Sequence, residues 1–213
     1  MGRLIVLEGI DGCGKSTVAQ VLKNKIRDAE IVSFPTPDAK LRAAELENEP
    51  VMSSVLLYVG DMVKALQETV APLVKQGKTV IFDRYWLSTV VYQGGRLKKY
   101  CKNMEESALM YASLITSVKG LLELAGQELC RFDDVHYFIL TLPFRDALLR
   151  SLQRSLQQGV ELDQYERAFD KEWEYRALFY ANVDFTENET RISVLDKTPE
   201  QIAGEILENI DVA

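Results

Sequence analysis

Gly9-Ile-Asp-Gly-Cys-Gly-Lys-Ser16 follows the G-x4-G-K-[ST] spacing in full. That pattern is suited to holding phosphate. Glycines let the backbone turn tightly and approach a ligand closely. Amide N–H groups then point inward at the start of a helix, where the helix dipole also favours an anion. In such a loop Gly9, Ile10, Asp11, Gly12, Cys13, Gly14, Lys15, Ser16 and Thr17 surround a nucleotide's phosphates. Lys15 reaches the β- and γ-phosphates, and the Ser16 hydroxyl holds Mg²⁺. Cys13 is read as a small filler of the loop. A second cluster, Phe82-Asp83-Arg84-Tyr85, sets an acid beside a guanidinium. Asp83 suits Mg²⁺. Arg84 suits a second phosphate, gripped through parallel N–H donors.

These groups work only if a fold places them together. The apolar run at 3–8 reads as a strand buried on both faces, and the loop follows it directly. Helical spacing follows over 15–28, with Val18, Val21, Leu22 and Ile26 on one side. Further strands are expected at 31–34, 78–82, 135–141 and, more weakly, 191–195. A long helical pattern over 51–76 is expected to break near Pro72. An amphipathic helix over 105–129 is expected to bury Leu109, Ala112, Ile115 and Leu122. A last helix is expected from Pro199 to Ile210, with Thr198 as its N-cap. Strands alternating with helices imply right-handed crossovers and a doubly wound parallel sheet. A GTP-switch reading fails, because Asn24-Lys25 lacks the aspartate that an N-K-x-D base reader needs.

Composition narrows the function classes. The chain has 213 residues, 47% hydrophobic and 27% charged, which fits one globular domain over 1–213. Its 25 basic and 32 acidic residues leave a net charge of −7. That disfavours binding a nucleic acid polymer or coating an anionic membrane. An anionic ligand must therefore be met by a local cluster of positive groups. Cys13, Cys101 and Cys130 form neither a disulfide framework nor a zinc pattern. No run approaches the roughly 20 apolar residues of a membrane span, and the cytoplasm is the expected compartment. The single histidine, His136, reads as a strand residue.

The sequence resembles the thymidylate kinase family. The resemblance rests on residues 7–17, on Phe34-Pro35, on Leu56-Leu-Tyr58, on residues 83–93, and on Asp163-Gln-Tyr-Glu166. It implies an α/β fold of three layers around a five-stranded parallel sheet, as in P-loop nucleoside monophosphate kinases. It also implies a small helical lid at about 150–166, a homodimer, and transfer of the ATP γ-phosphate to dTMP with Mg²⁺. By the same resemblance Asp11 lies near the acceptor's 3′-hydroxyl and phosphate, and Arg84 binds that phosphate. Tyr92 packs on the sugar and favours deoxynucleotides. Tyr58 stacks on the base, and Ser88 and Thr89 line its pocket beside Gln93, Phe34 and Pro35. Arg150 and Arg154 lie on one helix face and supply the lid's catalytic arginines.

Several positions depart from the family's pattern. Met62 stands where a base-reading arginine is usual, with Asp61 before it. Asp61, if it faces the pocket, suits an amino group on the base rather than a carbonyl. Pro37 replaces an arginine that touches the acceptor phosphate, leaving Lys40 or Arg42 to compensate. Gln164 replaces a lid arginine, and residues 94–134 form a longer helical insertion than usual, with a basic run at Arg96, Lys98, Lys99 and Lys102. Two readings therefore stand beside dTMP phosphorylation. One is a kinase for a different or modified deoxynucleoside monophosphate. The other is a catalytically weak nucleotide-binding protein. A nucleoside kinase is disfavoured, because Arg84 wants an acceptor phosphate.

Overall fold

The structure, a computed structural model, describes residues 2–45, 50–127, 135–159, 171–186 and 188–211. Five strands form one parallel sheet: β1 (Leu4–Gly9), β2 (Ala29–Ser33), β3 (Thr79–Asp83), β4 (Val135–Thr141) and β5 (Glu189–Ser193). Their order is β2-β3-β1-β4-β5. β1 is buried along its whole length. That explains its unbroken apolar run, since a central strand is covered on both faces. His136 sits in β4, opposite Ile5 of β1.

Register positions the chemistry. Leu7 lies opposite Asp83 across β1 and β3, so both strands finish at the same end of the sheet. The phosphate loop and Asp83-Arg84 therefore meet where parallel sheets present ligands. The helices pack in two groups. One holds α1 (Lys15–Lys25) and α9 (Pro199–Asp211). In the other, α5 (Trp86–Lys98) lies against α3 (Val51–Ala65), α6 (Met104–Gln127) and α8 (Lys171–Asn182). α2 (Pro37–Glu45) rests on α3, and α7 (Phe144–Gln158) touches α8. α9 starts at a reciprocal cap: the Gln201 amide donates to Thr198 Oγ1 at 3.3 Å, and the Thr198 amide donates to Gln201 Oε1 at 2.8 Å.

Three details differ from the sequence reading. The helical stretch after Pro50 continues past Pro72 through a π-turn (Leu66–Val70) into α4 (Ala71–Lys75). Pro72 falls where the bonding pattern changes, so its missing N–H removes little. α6 buries Tyr111, Leu114, Val118 and Leu122, while Leu109 is 64% exposed. Gly94 is the physical reason: a Cβ there would lie 2.1 Å from the Tyr111 ring, so the ring presses onto bare backbone and fixes the helix's rotation. Finally, Met104–Ala125 of α6 is, by length and composition alone, long and apolar enough to cross a bilayer. The expectation that no run comes near that limit is corrected. One face of this helix packs on α3 and α5.

Candidate functional site

The phosphate loop is wedged between β4 and α7. Gly9 has φ +146°, and a Cβ there would meet the Leu140 carbonyl at 2.4 Å. Gly12 has φ +78°, and its Cβ would meet the Ala147 carbonyl at 2.2 Å. Glycine is required at both positions. Lys15 is buried and spans the loop: its ammonium donates to the carbonyls of Gly9 at 2.9 Å and Ile10 at 2.8 Å. Cys13 is fully buried beneath it. The Ser16 hydroxyl donates to Asp83 Oδ2 at 2.5 Å, so the two groups proposed for Mg²⁺ meet. Thr17, on the next position of α1, is exposed.

Arg84 follows β3 in a left-handed conformation, φ +72°, which costs a residue with a Cβ about 1–2 kcal/mol. Two contacts hold it there. Its amide donates to the Leu7 carbonyl at 3.0 Å, and the Tyr85 amide donates to Glu8 Oε1 at 2.8 Å. The guanidinium then reaches the Asp11 carboxylate and Ser88 Oγ, the latter at 3.1 Å. Tyr92 closes the ring: its hydroxyl donates to Asp11 Oδ2 at 2.6 Å and accepts from the Asp11 amide at 3.2 Å. Burial alone would push the Asp11 carboxyl up. Arg84, Lys15, the Tyr92 hydroxyl and Arg176 outweigh it and hold the group below the usual carboxylate range.

Sequence reasoning missed three members of this cluster. Glu8 is fully buried and accepts from the Ser88 amide at 3.1 Å, the Ser88 hydroxyl at 2.6 Å and the Tyr180 hydroxyl at 3.2 Å, besides the Tyr85 amide. It caps the start of α5 from another element, as an N-cap side chain would. Burial pushes its carboxyl up, with Ser88 and Arg84 opposing. One signal was visible, an acid inside an apolar strand. Tyr180 and Arg176 arrive from α8, and no motif announced them. The Ser88 hydroxyl, expected in the base pocket, is engaged beneath Arg84 instead.

The residues expected around a base lie on α3, α5 and the turn after β2, and they are built differently. Phe34 lies edge-on to Phe82, with centroids 5.5 Å apart, and Pro35 follows it. Tyr58 and Met62 belong to the hydrophobic core. Thr89 and Gln93 are buried, and Arg96 donates to Gln93 Oε1 at 3.0 Å and Ser54 Oγ at 3.3 Å. Asp61 accepts from the Thr36 amide at 2.9 Å and the Thr36 hydroxyl at 2.5 Å. Both carboxylate oxygens thus anchor the turn into α2, where the sequence leaves open whether Asp61 faces a base or water. Arg42 is exposed and pairs with Asp38 at 3.2 Å, so it does not join the Arg84 cluster. Arg150 reaches the Val194 carbonyl at 3.4 Å, and Arg154 is exposed further along α7. The remaining lid positions, Glu161 to Glu166, lie outside the described residues. Among the described residues no three His, Cys, Asp or Glu side chains gather as a metal cage. The hydroxyl–carboxylate pair of Ser16 and Asp83 nonetheless fits Mg²⁺, which takes few protein oxygens.

Comparison with known proteins gives the family and the fold. The family model described as thymidylate kinase matches residues 7–118, the stretch that contains both phosphate clusters. A thymidylate kinase of Chlorobium luteolum is 31% identical over 179 residues, 78% of this chain and 76% of that one. One of Brachyspira hyodysenteriae is 29% identical over 154 residues, 64% of this chain and 75% of that one. A solved thymidylate kinase structure from Candida albicans superposes with a TM-score of 0.66 at 23% identity, covering 99% of this chain and 92% of that chain, and so shares the fold. The phosphate loop, the Asp83-Arg84 cluster and these relatives together place the chain in the thymidylate kinase family, whose members transfer a phosphoryl group from ATP to dTMP.

Proposed function

We propose that the loop amides and Lys15 hold the donor phosphates while Arg84 takes the phosphate of dTMP. The observation that carries this reading is the convergence of Lys15, Arg84 and Asp11 at one end of the sheet. Phosphoryl transfer spreads charge over the moving group, so positioning and positive charge do most of the work. The acceptor phosphate is already ionised at neutral pH. No strong base is needed, which suits a chain whose one histidine lies within a strand. Ser16 and Asp83 would hold Mg²⁺, which when bound neutralises charge on the donor phosphates. Arg84 exchanges its Asp11 partner for the acceptor phosphate. Tyr92 sits against the sugar where a 2′-hydroxyl would clash. Tyr58, Phe34, Pro35, Thr89 and Gln93 enclose the base, and Arg150 and Arg154 approach from the lid side.

A homodimer is supported by exposed apolar side chains on the packed helices α3 and α6, among them Met52, Leu56, Leu121 and Leu124. A cytoplasmic setting agrees with the sparse cysteines. An acceptor panel tests the function directly. Purified protein with ATP and Mg²⁺ is expected to use dTMP about tenfold or more better than dCMP, dAMP, dGMP or thymidine. Equal use of dCMP overturns the base assignment, and no ADP release with any acceptor overturns the reaction.

A further inference from the structure

α8 sends two buried side chains, Arg176 and Tyr180, into the Arg84 cluster. They are four residues apart and so share one helix face. Both are almost completely buried, at 2% and 1% exposure. Tyr180 bonds to Glu8 and Ser88. Arg176 goes to the other side: its guanidinium carbon lies 4.6 Å from the centroid of the Tyr92 ring. The guanidinium carbon of Arg84 lies 5.1 Å from the same centroid. Tyr92 is thus held at its ring by two cations and at its hydroxyl by Asp11.

Burying an arginine is expensive unless nearby groups repay its lost hydration. Here the neighbours include the Tyr92 ring and, through its charge, the Asp11 carboxylate, both of which favour a cation. The arrangement also addresses a cost in the proposed reaction. In the structure Arg84 is paired with Asp11. If Arg84 turns to the acceptor phosphate, a buried carboxylate loses its main partner, and such losses are strongly unfavourable. A second fixed cation beside Asp11 reduces that loss.

We propose that Arg176 is a positioning residue of the transfer site: it fixes the Tyr92 ring from α8 and keeps a cation beside Asp11 when Arg84 moves to the acceptor phosphate. The proposal rests on the reading of Arg84 and Tyr92 given above. It assigns Arg176 no contact with the substrate.

Steady-state kinetics of the full chain test it, with Arg176→Gln, Arg176→Lys and Arg84→Ala compared with the native protein. Arg176→Gln is expected to raise the KM for dTMP about tenfold to thirtyfold, the scale of losing a buried charged partner. The KM for ATP is expected to stay within about twofold, since the loop contacts are untouched. Use of the ribonucleotide 5-methyluridine 5′-monophosphate relative to dTMP should rise, because Tyr92 is no longer fixed. Arg176→Lys keeps the charge but not the planar fork, so its dTMP KM should rise only about threefold. A lowered Tm with native kinetic constants and native sugar discrimination would show that Arg176 merely supports the fold, and would overturn the proposal. Should Arg176→Gln fail to fold, Arg176→Lys decides: unchanged dTMP KM and sugar discrimination overturn it, and a rise confined to dTMP supports it. Arg84→Ala separates the two levels. If that variant uses dTMP normally, the site reading fails. If it is crippled while the Arg176 variants are normal, only this inference fails.

Discussion

The end of the site proposed to hold phosphate and the end proposed to hold the base share a sheet and several helices, but they are constructed on different terms. At the proposed phosphate end the loop backbone, Lys15, Arg84, Asp11 and Asp83 are tied by hydrogen bonds within one short span of structure. Each has a partner that a phosphate or a cation can replace. At the base end, Tyr58 and Met62 sit in the hydrophobic core, and Asp61 is tied to Thr36. Charge recognition can be written in a few contiguous residues, because loop and strand ends carry it. The proposed base pocket would depend on how α3 and α5 rotate against each other. A polar side chain there can be diverted to a structural task, as Asp61 is.

The contrast predicts a graded set of effects. Lys15→Ala should lower kcat about 10³-fold, the upper scale of losing one positioned charge in the transition state, with little change in the acceptor KM. A loss under about tenfold would break the view that the phosphate end carries the chemistry. Arg84→Ala should lower kcat/KM for dTMP about 10²-fold or more while leaving ATP binding intact. A loss shared equally by the two substrates would place Arg84 elsewhere.

Glu8→Gln is expected to lower kcat/KM about tenfold, because one oxygen cannot accept from the amides and hydroxyls that two now serve. Its stability should also depend on pH in a defined direction. Burial raises the Glu8 carboxyl above its ordinary value of 4.5. The folded state therefore favours the protonated form, and that contribution is full below the ordinary value and fades as pH rises through the raised one. Urea denaturation near pH 4.5 and pH 7 should show the native advantage over Glu8→Gln shrinking as pH rises. An advantage that grows with pH would contradict it.

The smallest effect is expected at the base end. Asp61→Ala should cost about 1 kcal/mol of stability through the loss of its bonds to Thr36, and leave the preference for dTMP over dCMP unchanged. A changed ratio would return Asp61 to the base pocket and erase the contrast.

The parts of the site that sequence reading reached are those carried by local pattern. Gly9 and Gly12 advertise the loop, because no other residue fits against Leu140 and Ala147. Asp83 and Arg84 are found at the end of an apolar run, and β1 is legible as a central strand because both faces are covered. The face of α6 is not legible, since Leu109 and Tyr111 are both apolar and only the bare backbone at Gly94 selects which one is buried. Pro72 misleads for a similar reason, as the π-turn before it absorbs what the sequence suggests is a break.

By itself the sequence determined the phosphate loop and the alternation of strands and helices, because those depend on residues next to one another or on short periods; the class of reaction came from its resemblance to the thymidylate kinase family. The tertiary structure alone decided that Asp61 serves Thr36, that Ser88 serves Arg84 and Glu8, and that Arg176 and Tyr180 enter the site from α8. Glu8 and Tyr180 are 172 residues apart. Nothing in either neighbourhood specifies the other. They meet because the folded sheet and α8 bring two buried polar groups together, and each needs a hydrogen-bond partner once water is excluded.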